Sequence, residues 1–329
     1  MYSGVTDDTL EAIMVEKMEH RILIYGGLGD LACHRIIPAL NMLSKEFPLE
    51  FAIVDIVPNS SRKYYQFGKE PLNEYNAAII STPNDTHSHI AKKALNSGMH
   101  ILCEKPISHT LEAAEEILKA AKKYSAQVSM LSDHYLYKPA IREVIRNWER
   151  YENQIGKLEG IEAKVLESSG VEGREWLLEK SRSGGGVAMD TGTHLVSIMG
   201  RLFGYEKINV RKAFITRYKG APGEGETYAH IMLDIGDVPV DIEVGKGMAS
   251  TQKDIVFQGD KGKLEIDIQE EQVKLNGEMK VSFAEDDSYE IILREFLLAI
   301  EGKRPPWTTL EEGYEALKVI QNAYEIALS

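Results

Sequence analysis

Short apolar runs alternate with stretches of helical periodicity through the first 135 residues. Residues 21–25 form an apolar run that stops at Gly26-Gly27-Leu28-Gly29-Asp30, after which apolar positions recur at helical spacing from Leu31 to Leu43. Residues 51–55, 76–81, 99–103 and 127–131 repeat the strand pattern, with helical stretches at 90–95 and 110–124 between them. This rhythm predicts a parallel sheet covered by helices on both faces, an α/β unit. Leu10, Ile13, Met14 and Met18 fall at helical spacing and predict a short amphipathic helix ahead of it.

Beyond about residue 155 the pattern changes. Residues 158–166, 210–218, 228–235, 238–244, 253–257 and 263–267 are β-prone, and several alternate polar with apolar side chains. Alternation of this kind suits an antiparallel sheet with one covered face. Helical periodicity returns at 289–301 and 309–328, where Thr309 and Glu312 are spaced as a capping box. Two domains follow, residues 1–135 and 136–329.

Composition narrows the function classes. The 329 residues carry a net charge of −13, which disfavours non-specific binding to nucleic acid or to anionic membranes. The 43% hydrophobic content is that of a soluble globular protein, and no segment reads as membrane-spanning. Asp7, Asp8, Glu11 and Glu16 at the N-terminus do not read as a signal peptide. Cys33 and Cys103 read as buried free thiols of a reducing, cytoplasmic compartment. An exposed face on the second sheet would favour a homo-oligomer, dimer or tetramer.

Candidate chemistry gathers at strand ends. The glycine turn at 26–30 stands where a phosphate would meet a helix N-terminus, although its spacing is not G-x-G-x-x-G. Asp55 ends the second strand, where a carboxylate accepts hydrogen bonds from a ribose and repels a 2′-phosphate; this favours NAD, with NADP possible given Arg62 and Lys63 nearby. Lys105 ends an apolar strand and Pro106 follows it, placing an ammonium where open α/β sheets collect ligands. In the run from Ser183 to His194, Asp190 and His194 stand four apart and share one face of a helix. An imidazole there can take a hydroxyl proton while the carboxylate orients the ring; a helix cap beside a structural histidine is the competing reading. No third ligand accompanies the pair, and His87, His89, His100 and His109 suit capping and loop roles, so no metal is expected.

Together, Ser81-Thr82-Pro83-Asn84, His87, the run Gly98 through Glu104-Lys105-Pro106, Trp176, the triple glycine at 184–186 and Asp190…His194 resemble the Gfo/Idh/MocA family of nicotinamide-dependent sugar and polyol dehydrogenases. The resemblance implies an N-terminal Rossmann domain and a C-terminal α+β domain with a large open mixed, mainly antiparallel sheet. It implies a cofactor site at Gly26, Gly27, Leu28, Gly29, Asp30, Leu31, Asp55, Ser81, Thr82, Pro83, Asn84, His87, Glu104, Lys105 and Pro106, with a cis peptide before Pro106. Lys105 would hydrogen-bond the reacting hydroxyl, His194 would be the base, and Trp176 would contact substrate, although Leu177 replaces the arginine common there.

The glycine turn and Asp133-His134-Tyr135-Leu136-Tyr137-Lys138 also resemble the larger glucose-6-phosphate dehydrogenases, with Tyr137 in place of a glycine. That likeness implies that Asp133 supports the catalytic histidine and that His134, Tyr135, Lys138 and Arg35 bind a sugar phosphate. The expected function is oxidation of a hydroxyl on a sugar or sugar phosphate, such as glucose 6-phosphate. The alternatives are an inositol or unphosphorylated-sugar dehydrogenase and a non-catalytic NAD-binding regulator.

Overall fold

The computed structural model describes residues 18–57 and 64–328. Residues 10–17 of the expected N-terminal helix, and the pair Arg62-Lys63, lie outside them. The first sheet contains β1 (His20–Tyr25), β2 (Leu49–Asp55), β3 (Tyr64–Gln66), β4 (Ala77–Ile80), β5 (His100–Glu104) and β6 (Ser129–Ser132). Its order is β3-β2-β1-β4-β5-β6, and every pairing is parallel. Ile22, Leu23, Ile24 and Tyr25 of β1 are fully buried, because helices cover both faces of a parallel sheet. The chain runs outward from β1 to β3, then returns to β4 on the other side of β1. A crevice therefore opens at the carboxyl ends of β1 and β4, the place where such sheets bind ligands.

Among the described residues this unit has three α-helices: α1 (Ile37–Leu43), α2 (His87–Asn96) and α3 (Leu111–Lys123). The helix expected from Leu31 begins instead with a widened π-type turn over Ala32–Ile36, leading into α1. Pro38 explains the difference: it lacks an N–H, and its ring crowds the carbonyl four residues earlier.

Four short helices lead into and through the second unit: α4 (His134–Tyr137), α5 (Pro139–Arg146), α6 (Trp148–Ile155) and, after β7 (Leu158–Glu167), α7 (Lys180–Ser183). Then come α8 (Thr193–Phe203), β8 (Ile208–Thr216), β9 (Tyr228–Ile235), β10 (Val238–Lys246), β11 (Gln252–Gly259), β12 (Lys263–Asp267), β13 (Gln272–Leu275) and β14 (Glu278–Ser282). The sheet order is β14-β13-β12-β11-β7-β10-β9-β8; β7 and β10 pair in parallel and the other neighbours antiparallel. The sheet is mixed and mainly antiparallel, as the resemblance implies. In β9 the burial alternates strictly, so one face packs on helices and the other carries polar pairs such as Tyr228–Glu243 and His230–Asp241.

Two last helices, α9 (Ser288–Ile300) and α10 (Leu310–Leu328), return to the junction. The first packs against α1 and α4. The second touches α3 and β6 of the parallel sheet as well as α8 and β8. Its capping box is formed: Glu312 N donates to Thr309 Oγ1 at 3.2 Å, and Thr309 N donates to the Glu312 carboxylate at 2.9 Å. No helix among the described residues is long and apolar enough to cross a membrane.

Candidate active site

The glycine turn lies at the crevice. Gly26 has φ +75°, and a Cβ there would stand 2.2 Å from the Ser81 carbonyl oxygen; at Gly27 one would stand 2.7 Å from Ile53 Cγ2. Only glycines let the turn sit this close to β2 and to the loop after β4. Leu28 N donates to Asp55 Oδ2 at 3.1 Å, so the strand-end carboxylate also fixes the turn. Asp30 is exposed and paired with His34, and it opens a helical start whose first bond runs from Cys33 N to Gly29 O, so the N–H groups of Asp30, Leu31 and Ala32 precede the first intrahelical bond. Close-packed glycines, free helix N–H groups and a carboxylate ending β2 fit a dinucleotide.

The loop after β4 closes the other side. Ser81 N donates to Tyr25 O, Thr82 receives the Thr86 hydroxyl at 2.6 Å, and Pro83 O accepts from Thr86 N. Asn84 is buried and donates to Ser183 O at 2.8 Å, tying this loop to the glycine run that precedes Asp190. His87 corrects the expectation of direct cofactor contact. One ring nitrogen faces the Pro106 and Ile107 carbonyls at 3.1 and 3.3 Å, and the other faces Thr82 O at 2.9 Å. Neither is left for a ligand, and the ring acts as a brace between two loops.

The Lys105-Pro106 peptide is cis. Lys105 Nζ donates to Asp190 O at 2.7 Å and to Asp190 Oδ1 at 2.9 Å, leaving one of an ammonium's three N–H groups. Glu104 points elsewhere: it is buried, receives the Ser132 hydroxyl at 2.6 Å, and is pushed up by that burial to a pKa of about 7.

Helical spacing suggested that Asp190 orients His194, and the structure corrects this. A widened π-type turn over Ala188–Gly192 precedes α8 and directs the Asp190 carboxylate to Lys105. His194 instead pairs through Nδ1 with Asp133 Oδ1 at 2.5 Å, both side chains being almost fully buried. That is the role the glucose-6-phosphate dehydrogenase likeness implied for Asp133. The carboxylate can only accept, so Nδ1 carries the proton and Nε2 presents a lone pair. Tyr135 stacks on the imidazole with centroids 4.2 Å apart, and His134 meets it edge-on at 4.7 Å. Burial and the Lys105 charge lower the His194 pKa, with Asp133 opposing them, so the ring is neutral near pH 7. Burial would raise the Asp190 pKa, but Lys105 and Lys246 outweigh it and hold the group ionised.

Lys246 was missed. It is the last residue of β10, much as Lys105 directly follows β5, and this strand-end position was the available signal. Its ammonium is buried, 2.5 Å from Glu167 and 3.9 Å from Asp190 Oδ2. Glu226 and Tyr324 were missed as well, and nothing local marks them. Glu226 Oε1 accepts from Gly186 N and Ala188 N, and the Tyr324 hydroxyl donates to the same oxygen at 2.8 Å. Both hold the glycine run that presents Asp190.

Other expected substrate contacts fall differently. Trp176 lies in a short helical turn, Glu175–Leu178, with the Arg182 guanidinium 5.9 Å from its ring, rather than in the His194 cluster. Lys138 and Arg35 do converge, but on Asp286, at 3.1 and 2.7 Å. His134 stacks on Tyr289, and burial holds its pKa well below the usual value, so it offers no charge to a phosphate. Among the described residues no group of three or more His, Cys, Asp or Glu could hold a metal ion.

Residues 50–132 match the profile of the Gfo/Idh/MocA oxidoreductase family with its NAD-binding Rossmann fold, and residues 140–265 match the C-terminal domain of the same family. The chain belongs to the Gfo/Idh/MocA family. The first match begins after the glycine turn, whose assignment therefore rests on its geometry. Among curated relatives, the chain is 33% identical over 123 residues to 1,5-anhydro-D-fructose reductase from Ensifer adhaerens, covering 37% of this chain and 35% of that protein. It is 27% identical over 146 residues to glucose-6-phosphate 3-dehydrogenase from Bacillus subtilis, covering 43% and 40%. The matched stretch thus spans well under half the length of these relatives. A solved structure of levoglucosan dehydrogenase in complex with NADH superposes with a TM-score of 0.81 at 17% identity, covering 94% of this chain and 97% of that one. At that identity the likeness concerns the fold.

Proposed function

We propose that this family member oxidises a secondary or anomeric hydroxyl of a sugar, with NAD as the partner. The observation that carries the reading is the His194–Asp133 couple beside Lys105 at the mouth of the dinucleotide crevice. NAD bound there supplies the hydride acceptor. The chain's residues handle the proton: His194 Nε2 takes it from the hydroxyl as the carbon gives up hydride and the C–O bond becomes C=O. Asp133 steadies the resulting imidazolium, and the remaining N–H of Lys105 donates to the oxygen while it carries developing charge. Asp190 fixes Lys105 in that pose. Run backwards, the same groups protonate a ketone oxygen during reduction. Asp55 at the end of β2 favours NAD over NADP.

Relatives named for anhydrofructose, levoglucosan and glucose 6-phosphate make a sugar the natural substrate class. The test is formation of reduced nicotinamide from NAD with levoglucosan and glucose 6-phosphate, and its consumption with anhydrofructose, comparing wild type with His194→Ala. The expected result is a fall in kcat of about 10²–10⁴-fold with NAD affinity retained. Undiminished turnover would remove His194 from the chemistry. NAD binding without turnover of any sugar, in either direction, would favour the non-catalytic regulator.

A further inference from the structure

Four charged side chains meet beside the histidine cluster. Lys138 follows α4, the segment whose His134 and Tyr135 rings pack on His194. Its ammonium pairs with the Glu271 carboxylate and lies 3.1 Å from Asp286 Oδ2. Arg35 reaches the same Asp286 oxygen at 2.7 Å, its guanidinium 5.5 Å from the Tyr289 ring centroid. Two cations and two carboxylates cancel.

The arrangement is anchored. Glu271 Oε2 accepts from Ala140 N at 3.0 Å, and Asp286 Oδ1 accepts from Ser288 N at 3.0 Å. Glu271 holds φ at +49°, a left-handed conformation that strains a residue other than glycine and persists only where the surroundings impose it. Only 13% of the Lys138 side chain and 7% of the Glu271 side chain are exposed, so an incoming phosphate cannot reach the ammonium without displacing the carboxylate. At the rim, Arg35 and Asp286 are 40% and 22% exposed. A guanidinium beside a carboxylate offers a donor and an acceptor, which suits a hydroxyl.

We infer that Glu271 and Asp286 are specificity-determining residues: they fill the anion position on Lys138 and Arg35, so the end of the substrate away from the reacting carbon is accepted as a hydroxyl and refused as a phosphate. This deepens the sugar-oxidation reading and rests on it. It also replaces the expectation that His134, Tyr135, Lys138 and Arg35 bind a sugar phosphate. A phosphate dianion brought to this place meets two fixed like charges, and such juxtaposition discriminates strongly between partners. Asp286 stays ionised there, since hydrogen bonds from Ser288 and the charge of Lys138 outweigh the burial that would raise its pKa.

The test titrates inorganic phosphate and glucose 6-phosphate into the NAD-loaded full chain, read by phosphorus NMR and calorimetry. Wild type, Glu271→Gln, Asp286→Asn and the double variant are compared. Wild type is expected to show no saturable phosphate binding at millimolar concentrations. Each substitution should bring binding into the saturable range, the double variant with a Kd about tenfold or more below the highest phosphate concentration tested, and adding Lys138→Met should abolish the gain. Saturable binding of either phosphate to wild type in this range would overturn the inference. So would a folded double variant that gains nothing. If substitution at Glu271 unfolds the chain, wild type and Asp286→Asn decide by the same criteria. Absence of sugar turnover would defeat the sugar-oxidation reading alone, because the phosphate titration does not depend on catalysis.

Discussion

Replacing Asp133 with asparagine perturbs the proposed base without changing its surroundings in size. The Asp133–His194 contact of 2.5 Å is sealed from solvent, with side-chain exposures of 1% and 3%. A hydrogen bond to a charged partner contributes about 1.5–3 kcal/mol, so its loss alone costs about 10–10²-fold in rate. An amide adds a second penalty, since its NH2 can donate to Nδ1 and turn the ring to the tautomer that has no lone pair on Nε2. The total expected fall in kcat is about 10²–10⁴-fold, the usual range for general-base catalysis. The pH profile supplies a readout that loss of packing would not move. His194 must be neutral to act, so activity rises with pH through its pKa. Burial and Lys105 lower that pKa while Asp133 raises it. Removing Asp133 therefore shifts the acid limb to lower pH, by about one unit for each 1.4 kcal/mol lost, while the plateau drops. Initial rates of nicotinamide reduction across pH, with the urea midpoint as a folding control, measure both effects. A kcat within about threefold of wild type, or an acid limb moving to higher pH, would refute the reasoning.

Gly26→Ala should cost about 1–3 kcal/mol and weaken NAD binding, because its Cβ would meet the Ser81 carbonyl at 2.2 Å with φ at +75°; denaturant midpoints and cofactor titration measure this, and an unchanged NAD affinity would disconnect the turn from the cofactor. Tyr324→Phe removes the hydroxyl that accepts from Gly186 N and Met189 N at 3.1 and 3.2 Å. It should cost about 1–3 kcal/mol and lower kcat more than NAD affinity, since Asp190 loses its support; equal losses in both would mean general damage. Glu104 is raised in the fold from 4.5 to about 7, so the folded state holds its proton more tightly than the unfolded chain. Its contribution is complete below pH 4.5 and is lost as pH rises through about 7, an effect of order 3 kcal/mol. Glu104→Gln should remove that dependence, and an unaltered stability–pH curve between 5 and 8 would count against it.

Much of the fold is legible from local pattern. β1, β2, β4 and β5 are short apolar runs ended by glycine, proline or a charged residue, and β9 alternates residue by residue. The edge strand β14 carries too little apolar signal to stand out, because edge strands bury little, and β13 beside it is only four residues long. In the site, Lys105 and His194 were legible as chemistry at element ends. The partner of His194 was misjudged from spacing, because helical periodicity assumes 3.6 residues per turn and a widened turn precedes α8. Lys138 was legible as a cation, whereas its neutralisation by Glu271 was not, the two standing 133 residues apart.

What the sequence by itself determined is the alternation of elements, the parallel first sheet, the β-rich second half, the glycine turn, and the strand-end and helix-start positions of the chemical residues. These follow from periodicity and turn chemistry, which act between neighbours in the chain. Periodicity and spacing could not say which charges meet; for His194 only the resemblance to the glucose-6-phosphate dehydrogenases pointed to Asp133, and the tertiary structure decided the rest. Asp133 joins His194 across 61 residues, and Lys105 joins Asp190 across 85. Such pairings depend on where the chain crosses in space, and their strength comes from the burial that folding creates.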